Sequence, residues 1–74
     1  MVKISVKPTG IIRKFTDQTI LEIPSGQNSE DIIRLLDIPH DVRPIVFVNN
    51  RKALKNQDIV DGDELTIVSL VMGG

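Results

Sequence analysis

Cysteine, tryptophan and tyrosine are all missing from this chain, phenylalanine occurs only twice and histidine once. Without cysteine there is no disulfide framework, no thiolate metal ligand and no cysteine nucleophile. The lone histidine, His40, has no second histidine to complete a metal site and no serine or aspartate pattern around it that would build a triad. It reads as a surface loop residue. The glycines are too dispersed for a phosphate-binding loop, with neither G-x-G-x-x-G nor a Walker pattern, so no bound cofactor and no ATP-using activity of the chain's own are expected. No long apolar stretch occurs either. The opening "MVKISVKPTG" alternates polar and apolar residues, unlike a signal peptide or a membrane span, and a cytoplasmic location is the expectation. Nine Lys and Arg stand against ten Asp and Glu, without a run of like charge, which gives no footprint for nucleic acid or an anionic membrane.

What is present belongs to a globular domain. With 41% hydrophobic and 26% charged residues, the 74-residue chain falls outside the disordered class. At this length one domain, residues 1–74, buries only about 60 to 65 per cent of its unfolded surface, so the core must be compact.

Periodicity divides the chain. Val2, Ile4 and Val6 alternate with Lys3, Ser5 and Lys7 as a strand, ended by Pro8, Thr9 and Gly10. "IIRKFTDQ" is ambiguous, spaced like one helical turn yet short enough for an extended connection with apolar anchors. "TILEI" is a second strand, with Thr19, Leu21 and Ile23 on one face, pairing with the first as a hairpin. The period then changes to helical. Asn28 is a good N-cap with Asp31 at N3, Ile32, Leu35 and Leu36 form the apolar stripe bordered by Ile33, and Glu30 faces Arg34. Pro39 requires the helix to stop near Leu36 or Asp37. "PIVFV" reads as a central strand that turns at Asn49 and Asn50, and "RKALKNQDIV" supports a short edge strand and a crossover. "DGDEL" is a turn, with Gly62 supplying a positive φ, that launches a last strand over Glu64 to Leu70. Asp61 and Asp63 look like the start of a calcium loop, but no glutamate stands at the twelfth position and the turn reading prevails. A hairpin, one helix across it and later strands joining the same sheet make an α+β, β-grasp architecture: a mixed sheet of four to five strands on one main helix.

One candidate for chemistry remains, the end "LTIVSLVMGG". A frayed, solvated tail is the plain reading. Against it, the apolar run reaches the glycines directly through Leu70, Val71 and Met72, and alternation leaves Val68 and Leu70 on the outer face of the sheet.

The element order, the "VNN" turn, "DGDELTIV" and the terminal Gly73-Gly74 together resemble the ThiS/MoaD group of ubiquitin-like sulfur carriers over the whole chain. The resemblance implies that a partner of the ubiquitin-activating type uses ATP to adenylate the carboxylate of Gly74, and that a sulfur donor then converts the acyl-adenylate to a thiocarboxylate. Gly73 is the slim neighbour, and residues 71–74 form a flexible tail. Glycine suits the task, because a tail without Cβ atoms can pass a narrow channel and set its carboxylate against an α-phosphate. A free α-carboxyl, titrating at roughly 3.5, is ionised at neutral pH and must be activated before sulfur transfer. The chain itself is then a carrier and not an enzyme. Thiazole synthase or the large subunit of molybdopterin synthase is an implied partner, the sulfur acceptor itself stays open, and the free chain is expected to be a monomer. Docking is expected through an apolar patch of Val68, Leu70, Val71 and Met72, with Val46 or Phe47 beside it.

Particular residues depart from the group. Ubiquitin-type modifiers usually carry basic residues before Gly-Gly, where this tail has Leu70, Val71 and Met72. The tail also lacks the proline often seen in molybdopterin-synthase subunits, while "GIIRKFTDQ" is longer than the minimal turn of thiazole carriers. The pathway therefore stays open between thiamin (thiazole), molybdopterin and related biosynthesis. Two other readings stay open beside it: a protein modifier conjugated through Gly74 to lysine amines, and a β-grasp interaction module that makes no use of its terminus.

Overall fold

The computed structural model describes residues 1–71. Five strands, β1 (Val2–Pro8), β2 (Thr19–Ile23), β3 (Pro44–Val48), β4 (Arg51–Lys52) and β5 (Glu64–Ser69), share one sheet with one α-helix, α1 (Ser29–Leu35). In space the order is β2-β1-β5-β3-β4. The β1–β5 pair is parallel and the other pairs are antiparallel. This is the β-grasp architecture, with the last strand in the middle of the sheet.

Strand alternation builds one apolar face. Ile4 and Val6 of β1, Ile23 of β2, Val46 and Val48 of β3, and Leu65 and Ile67 of β5 join one buried cluster with Ile32 and Ile33 of α1. Ile59, from the long β4–β5 crossover, closes the same cluster while its N–H donates to the Gln27 carbonyl at 2.8 Å.

Helix α1 begins as its sequence dictates. The Asn28 side chain accepts from the Asp31 N–H at 3.0 Å, and the Asp31 carboxylate accepts from the Asn28 N–H at 2.9 Å, a complete capping box. It ends with Asp37 at φ 57°: the Asp37 N–H donates to the Arg34 carbonyl and the Ile38 N–H to the Ile33 carbonyl, both at 3.1 Å. These two bonds make a Schellman motif, in which the buried Ile38 supplies the apolar contact.

Two helical expectations are corrected. Leu35 is 58% exposed, and the inward face consists of Ile32, Ile33 and the half-buried Leu36. At 100° per residue, positions 32, 33 and 36 span one arc while position 35 falls outside it, so the contact direction is rotated toward Ile33. Nor does Arg34 pair with Glu30. Arg34 lies 3.6 Å from Asp31, and Glu30 lies 3.7 Å from the exposed His40 that opens a 3-10 turn over His40–Val42.

The ambiguous β1–β2 connection is a 3-10 helix over Gly10–Lys14. Ile12 is its anchor, with no exposed surface, whereas Arg13, Lys14 and Phe15 face out. Thr9 fastens its start to the sheet, since both its N–H and its hydroxyl donate to the Ile67 carbonyl at 3.0 Å.

At the start of β5, Asn49 and Asp63 form a latch. Asn49 takes the left-handed conformation, φ 51°, and its Nδ2 donates to Asp63 Oδ1 at 2.9 Å while its Oδ1 accepts from the Glu64 N–H at 2.9 Å. The other Asp63 oxygen accepts from the Val60 N–H at 2.8 Å. Asp61 is equally engaged, accepting from the Lys3 N–H at 2.7 Å. Both carboxylates of the "DGD" turn thus serve backbone donors, which is the turn reading rather than the ion-binding one.

Ile12→Ala should cost about 2 to 5 kcal/mol, as deletions of buried aliphatic side chains do, and Leu35→Ala less than about 1 kcal/mol. Denaturant titration of the two variants measures the difference. Asp63→Ala strips the acceptors from two donors at a site only 7% exposed, and the same titration should show a loss of about 2 to 4 kcal/mol.

Candidate functional site

The end of β5 is where the sequence places its candidate chemistry, and three elements converge there. Antiparallel to β5, strand β3 starts at Pro44, opposite Ser69. Parallel to it, β1 ends at Pro8, opposite Ile67, and passes into the 3-10 helix Gly10–Lys14. The turn His40–Val42 and Arg43 arrive from the helical side, with Arg43 left-handed at φ 47°. The tail leaves the sheet at this junction.

The candidate residues separate into three groups. Phe47 lies opposite Thr66 and next to Lys52, half-buried on the face away from α1. Val68 shares that face, also half-buried, and Leu70 follows at 59% exposure with the exposed Val71 beyond it. Val46 does not belong with them: it is only 4% exposed, pairs with Ile67 and faces the core. The patch therefore loses Val46, because successive side chains of a strand point to opposite faces and Phe47 takes the outer one. Met72, Gly73 and Gly74, which carry the rest of the expectation, lie outside the described residues.

Two residues missed in the sequence belong to this site. Ile45 stands opposite Val68, with the same alternation as Phe47, and so completes an outer apolar strip of Ile45, Phe47, Val68 and Leu70. "PIVFV" is apolar at every position, so its pattern cannot say which side chains face out. Ser69 is the other. Its hydroxyl donates to the Val42 carbonyl and accepts from the Val71 N–H at 3.0 Å. Leu70 adds a bond from its N–H to the Arg43 carbonyl at 3.1 Å. A serine inside an apolar run was the available signal, since a half-buried hydroxyl needs a partner.

Beside the tail root lies an open cleft of about 510 Å³, with Thr9, Gly10, Ile11 and Lys14 on one side and Val68, Ser69 and Val71 on the other. Neither Arg13, Lys14 nor Arg43 has a carboxylate within 4.0 Å among the described residues. The surroundings of the tail root are thus apolar with cationic flanks. Among the described residues no group of three His, Asp or Glu is placed to hold a metal ion, and no helix is long and apolar enough to cross a membrane.

Comparisons with known proteins agree with this geometry. A solved structure of a Pyrococcus furiosus protein named as molybdopterin converting factor, subunit 1, superposes with a TM-score of 0.78 at 22% identity, covering 96% of this chain and 100% of that one. A ubiquitin-like protein from the hyperthermophilic archaeon Caldiarchaeum subterraneum matches with a TM-score of 0.59 at 15% identity, covering 97% of this chain and 100% of that one. At these identities both establish the fold alone. No curated protein matches the sequence. The model of the ThiS family matches residues 6–74, from the middle of β1 through the last strand to Gly74. A chain whose central strand, outer apolar strip and terminal glycines all lie within that match belongs to the ThiS family, whose members are sulfur carriers and not enzymes.

Proposed function

We propose that the chain carries sulfur as a thiocarboxylate on Gly74, after a partner enzyme of the ubiquitin-activating type has adenylated that carboxylate with ATP. The observation that carries this reading is the family match running through Gly74, joined to a last strand that is held in the middle of the sheet up to its end. Acyl-adenylate formation expels pyrophosphate, and attack by a sulfur nucleophile expels AMP. The chain supplies only the carboxylate, while the partner supplies the ATP site and the groups that stabilise the pentavalent phosphorus. Activation is necessary because a carboxylate is a poor acyl donor: its carbon resists nucleophiles and it has no leaving group until AMP is attached. A thiazole-forming or pterin-dithiolene-forming synthase then consumes the product.

Docking in this reading uses the outer strip of Ile45, Phe47, Val68 and Leu70. Such a strip, rimmed by Lys7 and Lys52, has the apolar centre and polar rim of a transient protein interface. Gly73 and Gly74 offer the least bulk to a channel leading to the α-phosphate.

Intact-mass measurement tests the chemistry. Incubation with the cognate activating enzyme, ATP and a sulfur source should replace one C-terminal oxygen by sulfur, and deleting Gly74 should abolish both that gain and the ATP–pyrophosphate exchange. Lysines of other proteins joined by an amide to Gly74, seen after cleavage at Lys and Arg as branched peptides that carry residues 56–74, without any thiocarboxylate, would instead identify a protein modifier.

Phe47→Glu and Val68→Glu test the docking face. Each should weaken capture by the activating enzyme about ten-fold or more, because a charge is placed in a desolvated contact, while the melting temperature shifts by only a few degrees, roughly as for partly exposed sites.

A further inference from the structure

We infer that Ser69 is a positioning residue that aims the C-terminal arm, acting through Val71; this inference rests on the reading of Gly74 as the activated carboxylate. The strand ladder cannot aim the arm unaided. The pairing of β5 with β1 ends at Ile67, and on the other side the Leu70 N–H donates to the carbonyl of the left-handed Arg43 at 3.1 Å, in register with the β3–β5 ladder and as its last bond. Beyond Leu70 a side chain takes over from the ladder. Ser69 Oγ donates its proton to the Val42 carbonyl, which fixes the direction of the hydroxyl and leaves its lone pairs toward the Val71 N–H at 3.0 Å. One hydroxyl thus ties the buried Val42 to the third residue before the terminal glycine pair ends.

The short tether makes direction matter. Three residues beyond Val71 reach at most about 10 Å, and a swing of about 30° at the root would displace the terminal carboxylate by about 5 Å. Misplacement by even about 1 Å at a reacting centre can cost about 100-fold in rate. Docking through Phe47 and Val68 locates the domain on its partner but does not orient a chain that leaves β5 beyond them. The Ser69 hydroxyl performs that second task. Alanine at 69 would keep the strand, since backbone pairing does not involve the side chain, and would release Val71.

The test measures ATP–pyrophosphate exchange with the adenylating enzyme of the same genome, together with amide exchange at Val71 in the free chain. Ser69→Ala should lower kcat about ten-fold while leaving the KM for the carrier within about two-fold, Ser69→Thr should restore kcat by keeping the hydroxyl, and the Val71 amide should exchange several-fold faster in the alanine variant. Ile59→Val, a core change remote from the arm, controls for stability and should leave kcat unchanged. A wild-type kcat in Ser69→Ala, an equal kcat loss in Ile59→Val, or a Val71 amide as protected in Ser69→Ala as in the wild type would each overturn the inference. Absence of exchange activity in the wild type would overturn the carrier reading instead, and the Val71 amide alone would then decide whether the hydroxyl restrains the arm.

Discussion

Everything in this structure depends on β5 being sandwiched between β1 and β3. A terminal strand on a sheet edge would fray, because one row of its N–H and C=O groups would have only water for partners. Between a parallel and an antiparallel neighbour, β5 is paired with β1 from Glu64 to Ile67 and with β3 from Leu65 to Ser69, and its Leu65 and Ile67 side chains are buried in the core. The core and the attachment of Leu70 and Val71 therefore rely on the same six residues. A domain of this size cannot keep separate scaffolds for folding and function.

Both ends of that strand are held by polar side chains set among apolar ones. At its start Asn49 and Asp63 satisfy each other and two backbone N–H groups, and at its finish Ser69 joins Val42 to Val71. No buried side-chain nitrogen or oxygen lacks a partner among the described residues. Partnered polar groups specify register, since sliding β5 by one residue would strand the Asp63 carboxylate and turn Leu65 and Ile67 to solvent. Specificity here comes from a few directional bonds laid over a non-directional core.

The outer face carries the complementary task. Among the described residues no helix covers Ile45, Phe47, Val68 and Leu70, and the cleft beside Thr9 and Lys14 lies next to Val71. Leaving such a strip uncovered is a stability cost that a sheet meets elsewhere with polar residues, as Lys3 and Lys7 do on β1. On the proposed reading the strip has a use, because a carrier must be recognised by another protein each time its terminus is charged. The short 3-10 helix Gly10–Lys14 fits the same economy: Ile12 seals the core, and its outward residues form one wall of the cleft.

Much of this was legible from residue patterns. Alternation in "VKISVK" and "TILEI", the Asn28–Asp31 cap, the left-handed asparagines after "PIVFV" and the Gly62 turn are local features, set by neighbours within a few positions. The family resemblance likewise rested on "VNN", "DGDEL" and Gly73-Gly74 as written. What the sequence could not decide was direction. The uniformly apolar "PIVFV" left Val46 as a surface candidate and hid Ile45, the helical stripe was rotated by one position away from Leu35, and "IIRKFTDQ" had no period of its own. Tertiary structure decided these because each depends on which neighbour lies opposite. Val46 faces inward since it meets Ile67 across the ladder, Ile12 is buried since Thr9 ties its turn to that same residue's carbonyl, and Ser69 matters since the chain brings Val42 to it from 27 positions away. Local chemistry sets which elements form, while long-range pairing alone sets which face of each one is left for a partner.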